Sequence, residues 1–212
     1  MRKLLWTLAV LLGPYGCIGQ KTGLYDSLLA HYDLFSNEPF SNLELEDTSG
    51  FLFNTSNLSG KTVYVDFWFT TCPPCIREVP YYKQLQEYFA ADTNIAFLSI
   101  CIENIERKDA WKQLIKDQHI PGIQLFYARN RPQKINLLRQ YQITFPTYLI
   151  LNTAMKVIGY DAPRPSEKGW VEWAIVNAKK GRPLSDSYQQ LVRRSGEYSA
   201  FIKQENLAGQ GF

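Results

Sequence analysis

The chain has 212 residues, 45% hydrophobic and 14% aromatic. That is enough for one domain with a packed core plus terminal extensions, and too apolar for a disordered polymer. The formal net charge is +3, and without Arg2 and Lys3 the balance falls to 21 basic against 20 acidic residues, which gives no electrostatic basis for a nucleic-acid partner.

Residues 1–16 read as a signal peptide. Arg2-Lys3 supply a positive start, and Leu4 to Gly13 form an apolar run. That run is too short to cross a hydrocarbon core of roughly 30 Å as a helix, but it suits the central part of an export signal. The expected destination is the bacterial periplasm or cell envelope. Cys17 follows Pro14-Tyr15-Gly16 and resembles the lipidated cysteine of a bacterial lipoprotein in having Gly16 before it. Pro14 and Tyr15 depart from that pattern. Lipidation of Cys17, ordinary cleavage nearby and an uncleaved anchor all stay open.

Residues 17–38 read as a linker, 39–181 as the folded domain and 182–212 as a tail, partly helical or disordered. Asn42 to Asp47 and Phe51 to Phe53 pattern as a hairpin around Ser49-Gly50. Thr62 to Phe69 are β-branched and aromatic almost throughout, as a strand buried on both faces should be. From Pro73 the period turns helical, with Val79, Tyr82, Leu85 and Phe89 on one stripe to about Ala91. Ile95–Ile102 is a strand, Glu106–Gln118 a helix ended by Pro121-Gly122, and Ile123–Tyr127 a strand. Ile135–Tyr141 is a short helix, and residues 147–151 and 156–160 are two strands around Asn152-Thr153. Glu167–Lys180 is a closing helix with Gly181 as its cap. Alternating strands and helices predict an α/β protein with a parallel sheet covered on both faces. In the tail, Tyr188, Leu191, Val192, Phe201 and Ile202 fit one helix side, interrupted by Gly196.

The chemistry concentrates at Cys72-Pro73-Pro74-Cys75, where a strong strand meets a helix. Thiol–disulfide exchange needs a nucleophilic thiolate and a second thiol near enough to resolve the mixed disulfide. A Cys-x-x-Cys on the first helical turn meets both needs. The free N–H groups and positive end of the helix stabilise a thiolate at Cys72, and Cys75, deeper, resolves. Pro73 and Pro74 suit the first turn but remove two donors. Only modest stabilisation is left, toward the upper end of the 3.5–7.5 range of reactive thiols, which favours a reductase. Half a zinc site and a purely structural disulfide are the bland alternatives. Cys101, inside a strand, reads as an inert core thiol.

Val65-Asp66-Phe67-Trp68-Phe69-Thr70-Thr71-Cys72-Pro73-Pro74-Cys75, continued by Ile76-Arg77-Glu78-Val79-Pro80, resembles the active-site segment of thioredoxin-like proteins. Within these it is most similar to the TlpA/ResA branch of exported thiol–disulfide oxidoreductases. Thr144-Phe145-Pro146-Thr147 resembles the second family motif, whose proline is cis. The resemblance runs from about Phe40 to Lys180. It implies a thioredoxin fold, a central mixed sheet with helices on both faces and an N-terminal β-hairpin extension. It implies no cofactor beyond the redox-active Cys72–Cys75 disulfide and no bound metal, Pro146 shielding the dithiol from metals. Asp66 would be the buried acid that relays a proton to Cys75, with Glu78 as an alternative relay. Phe145 and Pro146 would pair with an extended substrate strand, and Trp68, Pro73 and Pro74 complete the expected substrate contacts. Phe69-Thr70-Thr71 stands where the family more usually has Ala-Thr-Trp. The implied partners are protein dithiols and disulfides, with an exported or membrane electron donor. A thiol peroxidase and a non-catalytic binding module are the competing functions.

Overall fold

The computed structural model describes residues 16–204, with side chains from residue 23 onward. The segment read as a signal peptide, before Gly16, the side chain of Cys17 and residues 205–212 lie outside it. In chain order the elements are α1 (Gly16–Tyr32), β1 (Glu44–Asp47), β2 (Leu52–Asn54), β3 (Thr62–Trp68), α2 (Pro73–Tyr88), β4 (Ile95–Glu103) and α3 (Lys108–Gln118). There follow β5 (Ile123–Ala128), α4 (Leu137–Gln140), β6 (Thr147–Leu151), β7 (Val157–Tyr160), α5 (Trp170–Lys179), α6 (Leu184–Val192) and α7 (Gly196–Gln204).

Seven strands form one mixed sheet in the order β2-β1-β5-β4-β3-β6-β7. Parallel β3, β4 and β5 make its centre, and antiparallel hairpins close it at both edges. The apolar composition of β3 places it between β4 and β6, and its period of two feeds both faces. Tyr64 and Trp68 join the core under α2, α3 and α5. Val63, Val65 and Phe67 join the opposite core with Leu58, Leu137 and Tyr141. The expected thioredoxin-type architecture, hairpin included, is thus present.

Residues 17–38, expected to be a linker, instead supply α1. Its Tyr25, Leu28 and Tyr32 recur at helical spacing in an otherwise polar stretch, too short a stripe to stand out. The ring of Tyr25 lies 6.2 Å from that of Tyr188, and Tyr32 lies 6.4 Å from Trp170 and 5.2 Å from Tyr188. The described part of the tail, up to residue 204, is likewise docked. After α5, Gly181 turns left-handed (φ 78°), with its N–H donating to Ala178 O and that of Arg182 to Asn177 O. The chain then returns over the sheet, where Tyr198 and Phe201 cover Trp173 at 5.5 and 5.1 Å.

Gly159 in β7 lets α6 approach this closely, because a Cβ there would stand 2.9 Å from Leu184 Cβ. Gly159→Ala is therefore expected to overpack that contact and cost about 1–3 kcal/mol. Urea unfolding checks this, and an unchanged midpoint would show that α6 is not seated on β7.

Candidate active site

Strand β3 delivers the chain directly to the mouth of α2. Cys72 is the N-cap residue, in extended conformation, and Pro73 and Pro74 take the first two helical positions. The Cys75 N–H donates to Cys72 Sγ at 3.2 Å. Cys72 and Cys75 are joined as a disulfide, with their Cα atoms 5.3 Å apart. In the dithiol the same amide and the positive helix end act on a Cys72 thiolate. Cys72 is 1% and Cys75 5% exposed, so both are buried in the disulfide and the deeper burial expected for Cys75 does not hold there. Pro73 is exposed and Pro74 half-buried at the rim.

Beneath Cys75 lies a cavity of about 10 Å3 walled by Asp66, Trp68, Cys75, Glu78, Tyr82 and Ser99. It has room for one water at most. Asp66 Oδ2 accepts a hydrogen bond from Ser99 Oγ at 3.4 Å, while the shielded Oδ1 has no partner. Burial is the main reason that the Asp66 pKa rises to about 7; the Ser99 bond opposes the rise and the nearby Glu78 charge adds to it. Such a group gains or loses a proton near neutral pH.

Glu78 is buried and doubly held: Ser166 N–H donates to Oε2 and Ser166 Oγ to Oε1, both at 2.9 Å. Ser166 lies in the β7–α5 loop, 88 residues on, and no local pattern announces it. Glu78→Gln is expected to bring the Asp66 pKa below about 7 by removing a neighbouring negative charge. Ser166→Ala is expected to cost about 1–3 kcal/mol by depriving a buried carboxylate of a donor. Carboxyl titration by NMR checks the first and chemical unfolding the second.

Trp68 requires a correction. Expected at the substrate surface, it is 3% exposed, because its place on β3 turns it inward as a wall of the cavity beneath Cys75. Phe69, which carries no role in the sequence reading, is half-exposed at the site, as is Phe145. Its ring packs edge-on against Phe145 at 4.9 Å. The Phe145–Pro146 peptide bond is cis and Pro146 is buried. The Thr144 N–H donates to Thr147 Oγ1 at 3.1 Å and ties the loop together.

Glu103 was also missed. It closes a strand of nine buried residues and is itself 3% exposed. Its carboxylate accepts from Thr70 Oγ1 and from the Asn104 N–H, both at 3.1 Å, and so fixes the loop that leads into Cys72. A carboxylate ending an apolar strand was the available signal. Cys101 is fully buried. Burial first, then the Glu103 charge, push its thiol far above the usual range, away from nucleophilic use.

Comparison with known proteins places the chain among relatives of the same fold. The chain is 31% identical to the thiol-disulfide oxidoreductase ResA of Bacillus subtilis (strain 168) over 123 residues, which are 55% of this chain and 62% of that protein. It therefore spans about three-fifths of the length of that relative. Its structure is similar to that of a thiol:disulfide interchange protein from Bacteroides sp., with a TM-score of 0.55 and 23% identity over 69% of this chain and 93% of the other. A thioredoxin family protein from Chlorobium tepidum TLS, a thiol:disulfide interchange protein, gives a TM-score of 0.51 at 22% identity over 65% and 95% of the two chains. At these identities the structural likeness establishes the fold. The Redoxin family model matches residues 35–169, a span that holds the whole central sheet and the cysteine pair, and the chain belongs to the Redoxin family.

Proposed function

We propose that this protein is an exported thiol–disulfide oxidoreductase that works as a reductase of protein disulfides. The observation that carries the reading is the Cys72–Cys75 pair on the first turn of α2, with the Cys75 N–H aimed at Cys72 Sγ and Asp66 below.

The Cys72 thiolate attacks one sulfur of a substrate disulfide. A Cys72–substrate bond forms, the substrate bond breaks, and the leaving thiolate takes a proton from solvent. Cys75 then gives its proton to the Asp66 carboxylate, and its thiolate attacks Cys72 Sγ. The Cys72–Cys75 disulfide forms and the second substrate sulfur leaves. Two electrons have passed to the substrate, and an exported or membrane-bound donor dithiol restores the pair. Pro73 and Pro74 support the reducing direction, since neither has an N–H to give and, among the described residues, the Cys75 amide is the one hydrogen-bond donor to Cys72 Sγ. The exposed edge of the cis-proline loop offers Phe145 to an extended substrate segment. The signal-like residues 1–16 support export to the periplasm or envelope, and lipid attachment at Cys17 would hold the domain at a membrane.

The test is insulin reduction with dithiothreitol as electron source. Acceleration over dithiothreitol alone is expected. No acceleration, or peroxide consumption in its place, would overturn the reading.

A further inference from the structure

The three parallel strands all end at the edge of the sheet that carries the disulfide, and two arginines stand there on the loops that follow β4 and β5. Arg107 Nε donates to Thr70 Oγ1 at 3.0 Å, two residues before Cys72. Arg129 Nε donates to Asn104 Oδ1 at 2.8 Å. Both approach Glu103, Arg107 at 3.8 Å and Arg129 at 3.7 Å, each beyond hydrogen-bond length. One buried carboxylate thus faces two guanidinium groups, each with a side chain 44% exposed. A positive charge is left over, and the Nη groups make no hydrogen bond among the described residues.

The sequence extends this surplus toward the cis-proline loop. From residue 129 to 146 there are four cations, Arg129, Arg131, Lys134 and Arg139, and no Asp or Glu. Neighbouring acids offset part of this surplus. Glu106 is engaged by Asn130 at 2.9 Å and lies near Arg131. Asp109 sits in the first turn of α3, where the helix end already favours it. Lys108 is bound to Glu46 and adds nothing to the surplus.

We propose that Arg107 and Arg129 form a docking surface for acidic segments of the protein substrates, beside the cysteines to be exchanged. The proposal rests on the oxidoreductase reading and narrows its substrate class. Guanidinium groups whose Nη atoms are not committed to a hydrogen bond bind carboxylates in a planar, paired geometry. A cationic rim beside a reacting centre also raises the encounter rate with acidic partners and lowers it with basic ones.

The experiment uses the reduced full chain and three peptides with the same disulfide, flanked by Asp-Asp, Ser-Ser or Lys-Lys. Rates of reduction are followed by stopped flow. At low salt the Asp-Asp peptide is expected to react about tenfold faster than the Lys-Lys peptide, with the gap closing near 0.5 M salt as screening shortens. Replacing both arginines, Arg107→Gln with Arg129→Gln, should flatten the series. The salt series on the unmodified chain decides the matter even if the double variant fails to fold. Equal rates for acidic and basic peptides, with the Ser-Ser peptide still reduced, would defeat the docking proposal and leave the oxidoreductase reading standing. No reduction of any peptide would remove both.

Discussion

Replacement of Cys75 by Ser should leave substrate proteins covalently attached to Cys72. The first exchange needs Cys72 alone, while release needs a second sulfur within bonding distance. The observed disulfide places that sulfur on Cys75. Cys101 does not substitute, since it is fully buried and its thiol is pushed well above the usual range. Turnover on insulin should fall to the level of dithiothreitol alone, and non-reducing gels with mass spectrometry should show adducts on Cys72. Cys72→Ser should show neither turnover nor adducts. Full turnover by Cys75→Ser would dispose of the two-thiol mechanism.

Asp66→Asn should change both stability and the pH profile. Burial lifts the Asp66 pKa from the ordinary 3.8 of an aspartate to about 7. Below about pH 4 the carboxyl is protonated whether the chain is folded or not. Between these values the unfolded chain releases the proton and the folded one keeps it, so stability falls as pH rises through this window. Above about pH 7 the loss is complete, of the order of 4 kcal/mol. Asn cannot ionise, so the variant should gain on the parent by about that amount between pH 4 and pH 8. Guanidinium unfolding at both pH values measures it, and an equal difference at the two would contradict the assignment. In the exchange reaction the variant lacks the base for Cys75. The resolving step should slow about a hundredfold, and the limb near pH 7 in its rate profile should vanish.

The catalytic strand–turn–helix was legible because it is contiguous. A run of β-branched and aromatic residues, two prolines and a helical stripe lie within Thr62 to Phe89, and each specifies its local structure. The cis-proline loop was legible through its resemblance to a family motif. What the chain hid were partners brought together only by the sheet. Ser99 meets Asp66 through the β3–β4 register, and Ser166 reaches Glu78 from a distant loop. Glu103 meets Thr70 because parallel strands end together. Trp68 is deceptive because its nearness to Cys72 in sequence suggests the rim, whereas its place on a strand buried on both faces encloses it. Helix α1 escaped notice because its apolar stripe has few members and its value lies in the rings it meets.

The packing of α1 and of α6 and α7 bears on how the domain is delimited. The matched family span stops at residue 169, one position before α5 begins. A protein trimmed there would lose α5, with Trp170 and Trp173, together with α6 and α7, and α1 would lose the rings of Trp170 and Tyr188 that it packs on. Tyr64, Tyr148 and Ile158 would then open a broad greasy patch to water, an invitation to clumping rather than a smaller working unit. The working boundary lies farther out, and the outer helices act as a lid over one side of the barrel-free sheet, not as ornament.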